Sequence, residues 1–451
     1  MKTIKIFFVL IMLASFILSA CGTPATEAPA AEEPAAEEPA AEEPAGGEEI
    51  TLAYWSMWNE PEVIAQTIQK WIDEFEAQNP NITIDVVWNG RENQTKARTA
   101  LAGGTVIDIV DQDADQLAGG MMKEGLGYPL NEFLDQKALD EDVPITDVFY
   151  PGILDVFAVD GTVYLWPYMD SVVMWWYNKD IFEEVGISVP ETWEEFLENG
   201  QKIKDAGYGV MAVEGDVFDY NMFLYNYYMS RLKGKGYLLS VIEDETGESW
   251  KDPIIVDAMA EMQKLWDSGL IPPESEGFVW PAGQTTLALG ETAMEMCGGW
   301  LPIELAETAG PDFNWGGFRM PTVSGGTGDI DDLHSWLLAA MILKDSKHPA
   351  EAFEFLKFMM TKENMSIMAD EALQGVTRQG VEWAEQIADG EAASKSAKDG
   401  LLHVDGGYAF HAEFVTTVLT QPFLDAFYKK ITPEEFGAIM AEKSAEYWAS
   451  R

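Results

Sequence analysis

Apolar and polar residues alternate along the first part of the chain in a way that predicts strands and helices in turn. Residues 50–55 predict an apolar strand. Residues 61–78 predict an amphipathic helix whose apolar face carries Ile64, Ile68, Trp71, Ile72 and Phe75. A second strand at 82–88, a polar helix at 96–102 and a buried strand at 106–110 follow. Strictly alternating strands and helices predict an α/β fold with a parallel sheet.

Polar and aromatic residues follow each of these predicted strands. Ligands of open α/β sheets bind beyond the carboxyl ends of the strands. The residues at those ends are Trp58-Asn59-Glu60, Asn89-Gly90-Arg91 and Asp111-Gln112-Asp113. We therefore expect part of a binding site there.

Residues 160–196 are unusually rich in aromatic side chains. Asp160-Gly161 is a tight-turn signal between two apolar runs and predicts a hairpin. Six aromatic residues then occur within fourteen positions, which is more than a strand pair needs for packing: Tyr164, Trp166, Tyr168, Trp175, Trp176 and Tyr177. Thr192 and Thr432 each begin a capping box and so predict helix starts.

Several motifs along the chain resemble those of the carbohydrate-type family 1 extracellular solute-binding proteins of bacterial ABC importers. They include Tyr177-Asn178-Lys179-Asp180 with Pro190–Glu194, Phe75–Pro80, Gly290–Met294 before Gly298-Gly299-Trp300, and Ser346–Pro349. Gly299 and Val376-Thr377 stand where the family usually has proline. The resemblance covers residues 50 to about 378 and the tail more weakly.

The resemblance implies an α/β fold of the periplasmic-binding-protein-like type II, with two lobes, hinge crossings and a ligand cleft between the lobes. The N-terminal lobe would comprise residues 50–166 and 338–377. The C-terminal lobe would comprise 167–337 and 378–451. Residues 334–343 predict a return crossing, and residues 374–378 a third.

The N-terminus predicts export. Lys2 and Lys5 precede an apolar run that is too short to span a bilayer, and Leu18-Ser19-Ala20-Cys21 resembles a lipobox. Residues 1–20 are thus a predicted lipoprotein signal peptide, with lipid attachment at Cys21. Residues 21–49, rich in Pro, Ala and Glu, predict an extended linker.

Charge and missing motifs exclude several classes of function. The formal charge of −49 argues against nucleic acid and anionic lipid as partners. Nucleotide-binding, metalloprotease and serine-hydrolase motifs are absent from the sequence. Residues 111–115 imitate the start of a calcium loop, but Gln116 and Met122 occupy the positions of its glycine and glutamate. We predict no metal, no cofactor and no enzymatic activity.

Sugar sites need aromatic platforms together with planar, charged hydrogen-bonding groups. Trp58, Trp280, Trp300 and Trp336 lie near predicted strand ends or in loops, with core packing as the alternative for each. Arg91 follows a strand; it would bind hydroxyls or a uronate, or else form a surface ion pair. The resemblance adds ligand stacking for Trp300. The further candidates are Asn59, Glu60, Gln112, Asp113, Asp170, Tyr220, Asn221 and His411.

These observations predict a monomeric, lipid-anchored, extracytoplasmic binding protein. It would capture a carbohydrate and deliver it to the transmembrane subunits of an ABC permease, with the lipid as its sole membrane contact. Two alternatives stay open. One is the same fold binding another solute, such as a polyamine, which would use the acidic charge. The other is a tethered glycoside hydrolase, which needs only two carboxylates.

Overall fold

The structure, a computed structural model, describes residues 48–397 and 408–451. The predicted signal peptide, the lipobox with Cys21 and the linker up to residue 47 lie outside the described residues. The α-helices are Val63–Gln78, Asn93–Ala102, Ala114–Leu117, Lys179–Val185, Trp193–Asp205, Phe218–Lys233, Tyr237–Ile242, Pro253–Asp267, Ala282–Ala288, Leu301–Glu304, Ala306–Ala309, Pro349–Met359, Lys362–Asp370, Ala388–Ser396, Ala412–Phe414, Thr420–Phe427 and Pro433–Ala449.

Eight strands carry the fold in the part of the chain that the structure describes. They are β1 (Ile50–Ser56), β2 (Ile82–Trp88), β3 (Ile109–Asp113), β4 (Trp166–Asn178), β5 (Gly209–Met211), β6 (Thr292–Cys297), β7 (Trp315–Phe318) and β8 (His334–Ile342). Their order in the sheet is β2-β1-β3-β8-β4-β6-β5, with β7 also paired to β4. β1 is parallel to both β2 and β3, which confirms the parallel arrangement predicted for the first three strands.

Strand β4 is long enough to take part in two separate sets of pairings. Trp166–Val173 pairs with β8 in antiparallel register. Met174–Asn178 continues the same strand but pairs with β6 and β7. Every residue of β4 is buried, which explains the long apolar and aromatic run in its sequence. The aromatic density of this stretch is thus largely core packing.

Two hydrophobic cores lie on either side of this strand. One is built around β1, β2 and β3 and includes Trp71, whose side chain is fully buried as the helical pattern predicted. The other is built around the helix Phe218–Lys233 and the helix Pro433–Ala449. β4 contributes to both cores, with Trp176 in the first and Trp175 in the second.

The third strand differs from its prediction. We expected a strand at residues 106–110, but it runs from Ile109 to Asp113, and Val106 is 53% exposed. Antiparallel pairing with β8 extends the ladder as far as Asp113 opposite Leu338. This pairing joins segments far apart in sequence, so the local apolar run does not reveal it. Asp111-Gln112-Asp113 therefore ends the strand instead of following it.

The predicted hairpin at Asp160-Gly161 forms only its turn. Both residues have positive φ, and Val159 and Thr162 exchange backbone hydrogen bonds at 2.9 and 3.0 Å. The flanking residues do not extend this pair into strands. After the turn, the carbonyl of Val163 instead accepts from the amide of Leu130 at 2.8 Å.

Other local predictions are confirmed. Thr192 and Thr432 both form complete capping boxes, at the starts of the helices Trp193–Asp205 and Pro433–Ala449. The apolar strand predicted at residues 334–343 forms as β8. In the predicted third crossing, Val376 bridges Met169 of β4. No helix within the described residues has the length and apolar character needed to cross a membrane.

Candidate ligand-binding cleft

A cleft of about 640 Å³ opens beyond the carboxyl ends of β1 and β3. It is lined mainly by apolar and aromatic side chains, with a few acidic ones and one arginine. The lining residues are Met57, Trp58, Pro61, Glu62, Val63, Ile64, Arg91, Asp113, Met169, Ser171, Val217, Asp219, Tyr220, Trp280, Trp300, Ile303, Glu304, Trp336, Leu338, Ala372 and Gln374. This size is typical of a site for a small-molecule ligand.

Asp111 fixes the loop that carries the first wall of the cleft. Its carboxylate is fully buried and accepts hydrogen bonds from the Tyr54 hydroxyl, from Ser56 Oγ at 2.9 Å and from the Met57 amide at 2.6 Å. Burial raises the pKa of Asp111 to about 6. The three donors, in contrast, favour the charged carboxylate. The aspartate thus ties the end of β3 to the loop after β1.

Trp58 and Arg91 form one prearranged unit in this wall. The Trp58 indole N–H donates to the Tyr168 hydroxyl at 2.9 Å, and the Arg91 guanidinium lies 4.7 Å from the centre of the Trp58 ring. Arg91 donates to both oxygens of Glu62, at 2.9 and 3.2 Å, and to the Met57 carbonyl at 3.0 Å. The arginine therefore lines the cleft and also forms the surface ion pair that the sequence left open.

Trp300 and Trp336 form a right-angled corner in the opposite wall. Their ring centres are 5.1 Å apart and their planes meet at 88°. The Trp300 N–H donates to the Tyr220 hydroxyl at 2.9 Å, and the Trp336 N–H donates to a carboxylate oxygen of Asp113. Because both N–H groups are bonded to the protein, the two rings are held in fixed orientations. The corner can contact flat apolar surfaces in two directions.

Trp280 completes the aromatic lining. It is the most exposed of the four predicted tryptophans, at 46%, whereas Trp58 is only 6% exposed. Its backbone amide donates to Asp216 at 2.9 Å. An exposed tryptophan on the edge of a cleft is available for contact with a ligand.

Seven of the thirteen candidate residues line the cleft: Trp58, Arg91, Asp113, Tyr220, Trp280, Trp300 and Trp336. The other six do not. Asn59 and Glu60 are exposed beside it. Gln112 is buried within β3, and Asp170 accepts hydrogen bonds from Ser335 and Ser394.

The last two of these six residues, Asn221 and His411, bind other groups of the protein. The Asn221 amide donates to the Glu214 carbonyl at 2.9 Å and to the Tyr428 hydroxyl at 3.0 Å. The His411 ring lies 3.0 Å from a Glu243 carboxylate oxygen and packs against Trp448. These contacts occupy both side chains with structural partners.

Five polar lining residues were not among the candidates, and one of them, Ser171, lies within β4. Glu62 and Asp219 each lie next to predicted positions in the sequence. Glu304 follows Trp300 by four residues, and its amide donates to the Trp300 carbonyl at 3.0 Å. A spacing of four residues places both side chains on one face of a helical turn. Glu304 could therefore have been identified from its distance to Trp300 in the sequence. Gln374 belongs to the predicted third crossing.

A group of carboxylates lies behind the Trp300 wall. Glu295 is 2% exposed, and both of its oxygens lack a hydrogen-bond partner among the described residues. Burial raises the pKa of Glu295 well above its usual range, and the nearby charges of Glu214 and Glu304 raise it further. Burial also raises the pKa of Glu304, which lines the cleft itself. Glu214 and Glu295 share a cavity of about 20 Å³.

The part of the chain that the structure describes contains no group of three or more His, Cys, Asp or Glu side chains that could hold a metal ion. Asp113 instead bonds Trp336 and Gln116.

Two cores joined by shared strands, with an aromatic cleft beyond the strand ends, define a two-lobed α/β binding protein. The sequence profile of the bacterial extracellular solute-binding proteins matches residues 60–366, and the chain belongs to this family. The fold class predicted from sequence is confirmed. Members of this family are receptors for solutes that act outside the cytoplasm.

Individual relatives agree with this assignment. The chain is 25% identical over 333 residues to an uncharacterised ABC transporter extracellular-binding protein of Pyrococcus horikoshii, covering 70% of each chain. It is 24% identical over 329 residues to a multiple sugar-binding protein of Streptococcus mutans, covering 70% of this chain and 73% of that one. A solved chitin oligosaccharide binding protein superposes with a TM-score of 0.72 at 23% identity, covering 89% of this chain and all of that one.

Proposed function

We propose that this protein is the substrate-binding component of an ABC importer and that its ligand is a carbohydrate. The observation that carries the proposal is the Trp300–Trp336 corner, whose ring centres lie 5.1 Å apart inside a cleft of about 640 Å³. Pyranose rings present apolar C–H faces that pack on indole rings, and their hydroxyls donate to carboxylates. The relatives named for sugar and chitin oligosaccharide binding support this ligand class.

The mechanism requires binding and closure only. The lobes, with the boundaries predicted above, would move together around a ligand that contacts both walls. A ligand stabilises the closed form to the extent that it binds that form more tightly than the open one. The Trp58 wall and the Trp300 wall would supply the two sets of contacts. The permease would then recognise the closed form.

A thermal-shift screen against mono- and oligosaccharides tests the ligand class. A ligand at 100 times its dissociation constant adds about 2.7 kcal/mol to the free energy of unfolding. We expect a raised melting temperature with at least one saccharide, which is recovered intact afterwards. Recovery of hydrolysed saccharide would instead establish a glycoside hydrolase.

Trp300→Ala should weaken saccharide binding by about 1 kcal/mol or more, which is roughly fivefold in dissociation constant, because it removes one ring of the corner. Isothermal titration calorimetry measures the change. Trp88→Ala is the matched control, since Trp88 is half-buried on the edge strand β2 and does not line the cleft. Equal affinity of the wild-type protein and the Trp300 variant would remove Trp300 from the site.

We further propose that the mature protein is a monomer anchored to the membrane by a lipid on Cys21, and that the Pro/Ala/Glu linker separates the folded part from the bilayer. The lipobox-like sequence before Cys21 supports this. Mass spectrometry of the mature N-terminus should find a diacylglyceryl-modified cysteine. An unmodified N-terminus would contradict the anchor.

A further inference from the structure

The polar part of the cleft is strongly acidic. Four carboxylates line it, and Arg91 is the single basic side chain among the described lining residues. The acidic residues are Glu62, Asp113, Asp219 and Glu304. The whole sequence, including these residues, has a formal charge of −49, so acidic residues also exceed basic ones outside the cleft. Fields of one sign in a cleft attract ligands of the opposite sign and repel those of the same sign.

The one arginine of the cleft is already paired with one of these acids. Its guanidinium donates to both oxygens of Glu62, at 2.9 and 3.2 Å, in a bidentate pair. It also donates to the Met57 carbonyl at 3.0 Å. The positive charge of Arg91 is thereby paired with Glu62, so a uronate carboxylate at Arg91 would compete with Glu62 for the guanidinium. The Arg91–Glu62 pair thus disfavours the binding of anionic ligands.

Two cleft carboxylates, Asp113 and Glu304, belong to the surroundings of the aromatic corner, and Asp113 is already bonded to the Trp336 N–H. Glu304 lies one helical turn after Trp300, with its amide bonded to the Trp300 carbonyl at 3.0 Å. Its carboxylate accepts from the Gln284 side chain at 3.1 Å, which is a neutral donor. Burial raises the pKa of Glu304, the Gln284 donor and the charge of Arg91 lower it, and the charges of Glu214 and Glu62 raise it. A positive charge placed at Glu304 would relieve that repulsion.

Resting on the carbohydrate function proposed above, we infer that the cleft selects saccharides that carry a protonated amino group and rejects those that carry a carboxylate. The apolar face of the amino sugar packs against the Trp300–Trp336 corner. Its ammonium group donates to Glu304, one turn further along the chain. Neutral saccharides bind through the aromatic contacts alone and rank between the two charged classes.

Calorimetry with β-1,4-linked dimers of glucosamine, glucose and glucuronate tests the selectivity, because the three differ mainly in charge. At neutral pH and low salt we expect the glucosamine dimer to bind about tenfold more tightly than the glucose dimer, as for one charge-assisted hydrogen bond. The glucuronate dimer should bind about tenfold more weakly than the glucose dimer. Raising the salt concentration should reduce the difference in affinity between each charged dimer and the glucose dimer.

Glu304→Gln assigns the preference to one side chain. The ratio of glucose-dimer to glucosamine-dimer dissociation constants should fall about fivefold or more in this variant. The ratio cancels any general loss of binding that the substitution causes. Glu307→Gln is the matched control: Glu307 is exposed three residues further on and does not line the cleft, so its ratio should not change.

Each outcome has a distinct meaning. Equal binding of the glucosamine and glucose dimers would overturn the charge selectivity while leaving carbohydrate binding intact. Binding of spermidine without any saccharide response would overturn both proposals in favour of a polyamine receptor. An unchanged ratio in the Glu304 variant, with selectivity present in the wild-type protein, would overturn the role of Glu304.

Discussion

Replacing Arg378 with alanine is expected to lower the free energy of unfolding by about 3 kcal/mol. The Arg378 side chain is fully buried at the end of the third crossing. Its guanidinium donates to Asp140 at 3.0 Å, to Glu141 at 2.7 Å and to the Met360 carbonyl. Removing it leaves a cavity and takes away the cation that pairs with Asp140, while Glu141 keeps only its longer pair with Lys362 at 3.6 Å. The loss should fall at the lower end of the range for buried pairs because both acids keep some contact with water.

Arg98→Ala is the matched control for this variant. Arg98 forms an ion pair with Glu124, but both side chains are more than 40% exposed. Exposed pairs contribute about 0–1 kcal/mol, so the control should lose little. Urea unfolding measures both variants. Equal losses of unfolding free energy in the two variants would show that burial does not strengthen the ion pairs of Arg378.

Replacing Glu295 with glutamine should have the opposite effect and raise the free energy of unfolding at pH 8 by about 1–3 kcal/mol. The wild-type carboxylate is buried in β6 without a hydrogen-bond partner among the described residues. Glutamine has nearly the same shape and carries no charge. Its amide can also donate, and a Glu214 oxygen nearby likewise has no partner within the described part of the chain. The variant removes a charge that the folded state must neutralise.

The gain from Glu295→Gln should depend on pH in a definite direction. Burial raises the pKa of Glu295, so the folded protein keeps a proton that the unfolded chain releases above about pH 4.3. The wild-type protein therefore loses stability as the pH rises from that value through the folded pKa. The stabilisation by glutamine should be small at pH 4 and largest at pH 8.

Glu291→Gln provides the comparison, because Glu291 is exposed immediately before β6. The Glu291→Gln substitution should change the free energy of unfolding only slightly at every pH. Thermal or denaturant unfolding across the range from pH 4 to pH 8 distinguishes the two variants. A constant gain at all pH values for Glu295→Gln would show that Glu295 does not hold a proton in the folded state.

Local sequence signals predicted the elements that local physics determines. The spacing of Ile64, Ile68 and Trp71 placed one helical face against the core, and Thr192 and Thr432 marked helix starts through their capping boxes. These features depend on residues within one or two turns of each other. Motif resemblance then extended the prediction from elements to the fold.

Contacts between distant segments account for what the sequence did not reveal. The register of β3 depends on β8, more than 200 residues away. Asp170 was predicted to contact the ligand, but two serines bind its carboxylate, one of them Ser394, 224 residues further on. Arg91 could have been a ligand contact or a member of an ion pair. The structure shows the ion pair in an arginine that also lines the cleft, and no pattern around Arg91 identifies its partner Glu62.

One missed feature had a signal in the sequence. Glu295 is the only charged residue in the run TAMEMC, which is otherwise suited to a fully buried strand. A carboxylate in such a run must find a partner, take up a proton or mark a functional wall. Its position behind Trp300 and Glu304 follows only from the folded arrangement.

The division of β4 between two sets of partners also determines how the folded state can come apart. Trp166–Val173 is paired with β8, and Met174–Asn178 is paired with β6 and β7. If either core unfolds, one half of β4 loses the strands that pair with it. The other core requires β4 as well, and is therefore destabilised. The two cores should therefore lose their structure in a single cooperative transition, so that the protein has two lobes in its geometry but one unit in its thermodynamics.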